Sequence, residues 1–294
     1  YDTENCRIFI SGSSAKLLSK EISASLRGRN LTTEVFPLSF KEFLQFKNID
    51  VSQPTSKNIS LTKNALHEYL HKGGFPELVN IKPETAMNIL QEYINLIIYR
   101  DLIERNKVSN VFLMKHLVKI WLSRTAELMS YNKIYNDLRS QGLAIARNTI
   151  YDYIGYLEDA FALFTVPVFA KSIRTQNRNP RKIFVADTGF KSAVSFSEDI
   201  GKLYETAVFL QLRRKYSEVF YYKNKQEVDF WIPARQLLIN VSYNIENTKT
   251  YYREVNGLFD AMKKLNLEKA FLINSTMDEK IKKEGKIINV VPLW

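Results

Sequence analysis

The chain has 294 residues, of which 45% are hydrophobic and 25% are charged, and its formal net charge is +11. These proportions are those of an ordinary globular chain and argue against extended disorder, while the positive charge favours an anionic partner such as nucleic acid. The single cysteine, Cys6, excludes an internal disulfide and suits a reducing cytoplasm, where we expect the protein to lie. Since no apolar run approaches the roughly 20 residues of a membrane span, we expect no membrane partner.

The first segment has the order of elements found in the distal half of a nucleotide-hydrolysing domain. An apolar strand ends in Gly12-Ser13-Ser14, and a helix is predicted over Lys16–Leu26. Arg27-Gly28-Arg29 and a short predicted strand, Glu34–Phe40, follow. The phosphate-binding motif GxxxxGK[ST] of the proximal half does not occur in the sequence. We therefore expect these residues to be a piece of a larger protein, cut inside its ATPase domain.

The middle of the chain has helical periodicity. A helix over Leu61–His71 is stopped by Gly73-Gly74, and an amphipathic helix is predicted over Glu84–Arg105. An apolar run at residues 160–170, a basic turn and a strand complete this region. Helix, helix, turn, helix and hairpin is the order of a winged helix. The last helices and that strand are predicted at Val111–Arg124, Tyr131–Ser140, Ala146–Asp159 and Lys182–Ala186.

The last third alternates between helices and strands, which is typical of an α/β domain. The predicted elements are helices at Ile200–Tyr216 and Arg253–Leu265 and strands at Val219–Tyr222, Glu227–Ile232, Leu237–Val241, Ala270–Ile273 and Ile287–Val291. We therefore expect an α/β multidomain chain. Its predicted domains are a partial P-loop ATPase remnant (1–48), a helical extension (49–105), a winged helix (106–186) and a restriction-endonuclease-like α/β domain (187–294).

Two pieces of this sequence have the residue types of a catalytic site. His67-Glu68-Tyr69-Leu70-His71 matches HExxH, in which two histidines one helical turn apart bind zinc and the glutamate acts as a base. Lys72 follows directly and no third ligand is evident, so a zinc metalloprotease is a distant alternative and we predict no metal site there.

The second piece is the arrangement of a restriction endonuclease, with an acid on a helix, an aspartate on a strand and ExK on the next strand. Its carboxylates hold a divalent metal, and its lysine helps to activate water. Glu205 and Asp229 match, but Asn240 and Ser242 stand where the glutamate and the lysine belong. We expect a degenerate site, with an active metal-dependent nuclease as the alternative. In a purely structural interpretation, both acids pair with basic residues, namely Arg213, Arg214 or Lys223.

The predicted winged helix is rich in positive charge. No acidic residue lies between Asp159 and Asp187, and a cationic hairpin tip can contact phosphates or enter a minor groove. The third helix begins with residues suited to base contacts, although it also carries acids, and winged helices also bind proteins. A DNA partner and a protein partner therefore both stay open. The predicted DNA-binding residues are Arg147, Asn148, Lys171, Arg174, Arg178, Arg181 and Lys182.

Several stretches of the chain resemble one family. They are ISGSSAKLLSKEI (10–22), SLRGR (25–29), EVFPLSFKEF (34–43), GGFPELV (73–79), YRDLIERNKVSN (99–110), NTIYDYIGYLEDAF (148–161), ADTGFKSAV (186–194), GKLYETAVFLQLRRK (201–215) and EVDFW (227–231). Together they resemble the distal half of AAA-type bacterial and archaeal ATPases that carry a C-terminal domain of unknown function.

This resemblance implies roles for residues of the first segment. Ser13 or Ser14 falls at the sensor position, and Arg27 or Arg29 falls at the arginine-finger position. It also implies that the intact parent uses ATP and Mg²⁺, whereas these residues alone hold no cofactor. We expect no ATPase activity from this chain, and its own function is to bind DNA or a protein partner. The oligomeric state is left open.

Overall fold

A computed structural model describes residues 9–13, 31–52, 55–197, 199–245 and 247–294 of the chain. It is a mixed α/β structure with two sheets. The described helices are α1 (Phe40–Phe46), α2 (Ser56–Lys72), α3 (Pro83–Leu96), α4 (Val111–Ser123), α5 (Tyr131–Ser140), α6 (Arg147–Asp159), α7 (Ile173–Arg178), α8 (Thr188–Val194), α9 (Ile200–Arg213) and α10 (Thr248–Leu265). The described strands are β1 (Glu127–Met129), β2 (Leu163–Val166), β3 (Arg181–Val185), β4 (Phe220–Lys223), β5 (Glu227–Ile232), β6 (Leu237–Val241), β7 (Lys269–Asn274), β8 (Glu279–Lys283) and β9 (Lys286–Pro292).

Short polar side chains cap several of the helices. Ser39 and Glu42 form a capping box at the start of α1, in which each side chain bonds the other residue's backbone N–H. The Ser130 hydroxyl accepts the N–H of Lys133 at the start of α5. Each such cap satisfies an N–H that has no partner inside the helix. These local interactions set where α1 and α5 begin.

The small sheet has the order β1-β3-β2, with both pairs antiparallel. Helices α3 to α6 pack with it around one apolar core, in which Trp121, Ile150 and Leu163 are fully buried. Fully burying such side chains contributes about 1.5–3 kcal/mol each. This core holds the four helices and the small sheet together as one unit, which we call the helical unit.

The large sheet has the order β4-β5-β6-β7-β9-β8, and β6, β7 and β9 are parallel. Helix α10 covers one face, where Leu258 and Met262 pack against strand residues such as Leu238. Helix α9 covers the other face, where Phe209 packs against Phe230 of β5. Most residues of the central strands β5 and β6 are therefore buried, as expected for strands covered on both faces.

The small sheet also contacts the α9 side of the large sheet. Phe184 of β3 stacks on Phe209, with the ring centroids 4.2 Å apart, and lies 5.6 Å from Phe230. Just beyond β2, the N–H of Phe169 donates to the carbonyl of Tyr221, and Tyr221 donates in turn to Pro167. The two sheets therefore meet through an aromatic cluster and a short backbone connection.

Some elements differ from the sequence-based predictions. The strand predicted over Glu34–Phe40 is wrong, because this segment pairs with no strand. Instead, the N–H of Leu38 donates to the carbonyl of Gly74, and Arg214 donates to the carbonyl of Pro37. The predicted basic turn contains helix α7. The helix predicted over Glu84–Arg105 changes to π-helical hydrogen bonding over Ile97–Glu104.

Strands β1 and β8 and helix α8 were not predicted. Helix α8 was assigned to the last domain, yet it packs on α2, α3 and α4. The helix predicted over Lys16–Leu26 lies outside the described residues.

A buried carboxylate joins two distant segments of the chain. Asp187, between β3 and α8, is 2% exposed. One of its oxygens accepts the N–H of Gly74 at 2.7 Å, and the other accepts the N–H of Gly189 at 2.8 Å. The hydroxyl of Thr188 donates to the carbonyl of Tyr69 in α2 at 3.1 Å. The stretches GGFPELV and ADTGFKSAV therefore meet at Asp187.

The backbone conformation of Gly73 and the atoms around it leave no room for a side chain at this junction. Gly73 has a φ of +83° and a ψ of −171°, a region open essentially to glycine. A Cβ at this position would lie 1.7 Å from Oδ1 of Asp187. We expect Gly73→Ala to lower the free energy of unfolding by more than about 3 kcal/mol, measured by urea denaturation. Gly142 is the control, because its φ is +80° but no atom lies within 4 Å of an added Cβ. Equal losses in the two variants would contradict the packing argument.

The Asp187 carboxyl also predicts a pH dependence. Burial raises its pKa to about 6, although the hydrogen bonds from Gly74 and Gly189 act in the opposite direction. A carboxyl whose pKa is higher in the folded state stabilises most below its unfolded pKa, and it loses this contribution as the pH rises through its folded pKa.

We therefore expect the unfolding free energy of the wild type, minus that of Asp187→Asn, to fall by up to about 3 kcal/mol between about pH 4 and pH 7. Urea denaturation at several pH values measures this difference. A difference that grows with pH would show that the two N–H groups hold the pKa down.

Candidate functional site

One buried ammonium lies among three carboxylates where the two sheets meet. Lys182 of β3 is 3% exposed. Its Nζ lies 3.0 Å from Oε1 of Glu205 in α9, 2.8 Å from Oε1 of Glu227 and 2.7 Å from Oδ1 of Asp229, both in β5. We call these four residues the lysine–carboxylate cluster. It brings together two predicted site residues, Glu205 and Asp229, which are 24 positions apart in the sequence.

The local periodicities place these side chains. Lys182 and Phe184 lie two residues apart on β3 and so share one face of the strand. Glu205 and Phe209 lie one turn apart on α9 and share one side of the helix. The stacked rings of Phe184 and Phe209 therefore set the spacing at which the ammonium meets the carboxylate of Glu205. Glu227 joins the cluster because it lies two residues before Asp229 on β5.

The charges in the cluster are strongly coupled. Burial opposes the ammonium form of Lys182, but Asp229, Glu205 and Glu227 outweigh it and raise the pKa of Lys182 well above its usual value. Burial, together with the charge on Asp229, raises the pKa of Glu205. The cluster therefore favours the charged form of Lys182, whereas burial favours the protonated form of Glu205.

Backbone contacts to β6 hold Asp229 in place. Its second oxygen accepts the N–H of Val241 at 2.8 Å, and its own N–H donates to Oδ1 of Asn240 at 3.1 Å. The amide of Asn240 also donates to Glu254 in α10. A cavity of about 360 Å³ borders these groups. Its lining comprises Gln226, Glu227, Asp229, Asn240, Val241, Arg253 and Glu254.

The two departures from the ExK pattern have different consequences. Asn240 keeps the position beside Asp229, but as an amide it supplies no charge. Ser242 donates weakly to the carbonyl of Asn244 at 3.4 Å, and no lysine replaces it on that strand. The lysine that does reach the carboxylates comes from β3 of the small sheet. Sequence reasoning missed Glu227 and Glu254, although the period of two along EVDFW would have indicated Glu227.

Two predictions about these residues were wrong. Lys182 was expected to contact DNA, but its ammonium is buried and bonded to three carboxylates. Glu205 and Asp229 were expected, in the structural interpretation, to pair with Arg213, Arg214 or Lys223. Instead, Arg213 pairs with Glu34 at 2.8 Å, and Arg214 lies 3.9 Å from Glu42. A partner 23 residues upstream of Glu205 leaves no signature in the local sequence.

The other predicted DNA-binding residues lie on the surface of the helical unit. Arg147 and Asn148 are exposed at the start of α6, and the guanidinium of Arg147 lies 4.8 Å from the ring of Tyr135. Arg181 is half-buried and donates to Thr165 at 3.2 Å and Asn177 at 3.3 Å, so its charge is partly engaged. The other predicted residues, Lys171, Arg174 and Arg178, are exposed on or beside α7.

The glutamate and the second histidine of the HExxH sequence are engaged in contacts within the chain. Burial would raise the pKa of Glu68, but hydrogen bonds from Lys47 and Lys72 outweigh it and lower that pKa. A carboxylate held ionised between two ammonium groups is a poor general base. His71 engages the carbonyl of His67 at 2.9 Å. Across the described ranges, no group of three or more His, Cys, Asp or Glu side chains is arranged to hold a metal ion.

Among the predicted nucleotide-site residues, Ser13 is described. Its hydroxyl donates to Oδ1 of Asp101 at 3.3 Å. Asp101 is buried in the π-helical segment and also pairs with Arg105 at 3.0 Å. The remaining predicted residues, Ser14, Arg27 and Arg29, lie outside the described residues. In the part of the chain that the structure covers, no helix combines the length and the apolar character needed to cross a lipid bilayer.

Comparison with known families agrees with the resemblance in the first segment. Residues 1–44 match a family described as an AAA domain. Residues 63–200 match a domain of unknown function, DUF8612, which covers the helical unit, the small sheet and α8. No solved structure matches the chain.

Three relatives match over most of the chain. An uncharacterized protein of Haemophilus influenzae is 29% identical over 83% of the chain and 61% of its own length. The uncharacterized protein MJ1637 of Methanocaldococcus jannaschii is 22% identical over 99% of the chain and 64% of its own length. The uncharacterized protein MJ1544 of the same organism is 40% identical over 98% of the chain and 68% of its own length. The chain thus spans about two thirds of the length of these relatives, and it belongs to the family of MJ1544.

Proposed function

We propose that the helical unit is a winged-helix module that binds duplex DNA, within a larger protein that contains an AAA-type ATPase. One observation carries this proposal. Lys171, Arg174 and Arg178 are exposed in a stretch of 27 residues that contains no acid. Neutralising phosphates and releasing their counterions supplies most of the affinity of non-specific DNA binding.

The topology supports the same module. The elements follow the order α4, β1, α5, α6, β2 and β3, and β3 lies in the middle of the sheet. This is the order of a winged helix, in which α6 is the recognition helix and the β2–β3 connection is the wing. Here the wing contains α7. We therefore place phosphates along α7 and base edges at the start of α6.

The exposed face of α6 offers an aromatic group as well as charges. Tyr151 is 51% exposed, and its ring centroid lies 4.3 Å from that of Tyr131. Arg147 and Asn148 lie one turn before it. Exposed aromatic rings beside cations are common on surfaces that contact nucleic acids. The acidic residues of α6 weaken this placement only in part, because the carboxylate of Glu158 already accepts a hydrogen bond from the Thr165 hydroxyl at 2.6 Å.

A nuclease function fits the geometry less well. A restriction-endonuclease-like fold for the large sheet is supported by the convergence of Glu205 and Asp229, but the ammonium of Lys182 already lies between them. A divalent metal would have to displace a buried ammonium that has three partners. We therefore assign the large sheet a structural role beside the DNA-binding module.

The exposed cations give a direct test. We expect the triple substitution Lys171→Gln, Arg174→Gln and Arg178→Gln to weaken duplex binding in fluorescence anisotropy titrations. The slope of log affinity against log salt should become shallower by up to about 2.7, which corresponds to roughly 0.9 for each lost phosphate contact.

The matched control is the triple substitution Lys280→Gln, Lys282→Gln and Lys283→Gln. These three lysines are exposed on or at the end of β8 in the large sheet, and their loss changes the net charge by the same amount. An equal loss of affinity in both triple variants would indicate attraction by net charge alone. Binding that is weak and independent of salt in the wild type would favour a protein partner.

The nucleotide prediction is separate. We expect these 294 residues to release no phosphate from ATP above a protein-free blank, because GxxxxGK[ST] is absent from the sequence. A malachite-green assay with Mg²⁺ measures this release, and the double variant Arg27→Ala and Arg29→Ala serves as the control. Turnover by the wild type that the double variant loses would contradict the prediction.

A further inference from the structure

The lysine–carboxylate cluster holds more negative than positive charge. One ammonium faces three carboxylates at 2.7–3.0 Å, so a fully ionised cluster has a formal charge of −2. Carboxylates at such spacing repel one another strongly in a buried environment. A cation at their centre relieves this repulsion, and Lys182 is the cation that the structure places there.

The ammonium comes from outside the sheet that carries the acids. Lys182 belongs to β3, which pairs with β1 and β2, whereas Glu227 and Asp229 belong to β5 of the large sheet. No backbone pairing joins β3 to β5, so the cluster is a tertiary contact between side chains. It reinforces the aromatic contact of Phe184 with Phe209 and Phe230.

The cluster is also open to small solutes on one side. The cavity of about 360 Å³ is bordered by Glu227, Asp229 and Glu254. Carboxylate oxygens are the ligands that Mg²⁺, Mn²⁺ and Ca²⁺ prefer. A hydrated ion in this cavity would meet two members of the cluster directly.

We propose that Lys182 is an internal counter-ion of the cluster with two effects. Its ammonium holds the small sheet against the large sheet, and it prevents divalent metal ions from binding the three carboxylates. The side chain of Lys182 on β3 thus blocks metal binding at this position. This role does not depend on DNA binding, because it rests on contacts inside the chain. It differs from the predicted degenerate site in that a resident cation, as well as lost ligands, keeps metal out.

The test removes the ammonium of Lys182 and preserves the three carboxylates. We expect Lys182→Met to bind Mn²⁺ at least about tenfold more tightly than the wild type, measured by electron paramagnetic resonance of free Mn²⁺. Adding Asp229→Asn to this variant should remove the gain. Lys182→Arg, which retains a cation, should resemble the wild type.

Lys202 provides a matched control on α9. Its ammonium pairs with Glu127 and with Asp199 at 3.2 Å, and its side chain is 32% exposed. We expect Lys202→Met to gain no Mn²⁺ affinity, because the freed carboxylates of Glu127 and Asp199 are more exposed to water than those of the cluster and number two instead of three. An equal gain in Lys202→Met and Lys182→Met would overturn the proposal, since it would reflect lost positive charge alone.

A folding measurement covers the case in which Lys182→Met is unstable. Circular dichroism with increasing Mn²⁺ should then show recovery of the folded state, because a metal that binds the native cluster stabilises it. A variant that folds without gaining Mn²⁺ affinity, or that stays unfolded in Mn²⁺, would show that Lys182 is not acting as a metal substitute. Tight Mn²⁺ binding by the wild type would overturn the proposal equally.

Discussion

The contact between the Lys182 ammonium and the carboxylates of Glu205, Glu227 and Asp229 determines how the two sheets of this protein are joined. Removing one partner of a buried ion pair typically costs 3–5 kcal/mol, because the remaining charge stays buried without compensation. Strand β3, helix α9 and strand β5 therefore have little freedom to move relative to one another. The exposed cations proposed to bind DNA end at Arg178, only a few residues before Lys182. Their orientation on the large sheet follows from the same contact.

A second polar junction, at Asp187, organises the opposite end of β3. Its carboxylate bonds the N–H groups of Gly74 and Gly189, and the tight approach of Gly73 excludes any side chain there. Two of the stretches that resemble a known family therefore supply the backbone N–H groups and the carboxylate of this junction. Helix α8 packs on α2, α3 and α4 as a result. Strand β3 is held at one end by an ammonium and is followed at the other by a carboxylate, each nearly inaccessible to solvent.

Much of the secondary structure was predictable, because its signals are local. The caps at Ser39 and Ser130, the stop at Gly73 and the apolar runs of β5 and β6 each act within a few residues. The failures also have physical reasons. Strand β8 reads EKIKK, with mostly exposed residues, so it lacks the apolar alternation of a buried strand. The segment at 34–40 has strand-like residues, but it meets the backbone of Gly74 and the side chain of Arg214 instead of a neighbouring strand.

The sequence alone indicates the α/β class, the alternation of most helices and strands and the basic, acid-free stretch at residues 160–186. It also indicates a resemblance of the first residues to an AAA domain, which the match of residues 1–44 supports. Glu205 and Asp229 stand out as a pair, because their residue types and elements fit one site. Which cation lies between them depends on contacts that form only in the folded chain. Lys182 reads as one more cation in a basic stretch, and nothing near it in the sequence indicates burial. Its partners lie 23 to 47 positions away, and the ammonium meets them because the stacking of Phe184 on Phe209 places β3 against the large sheet.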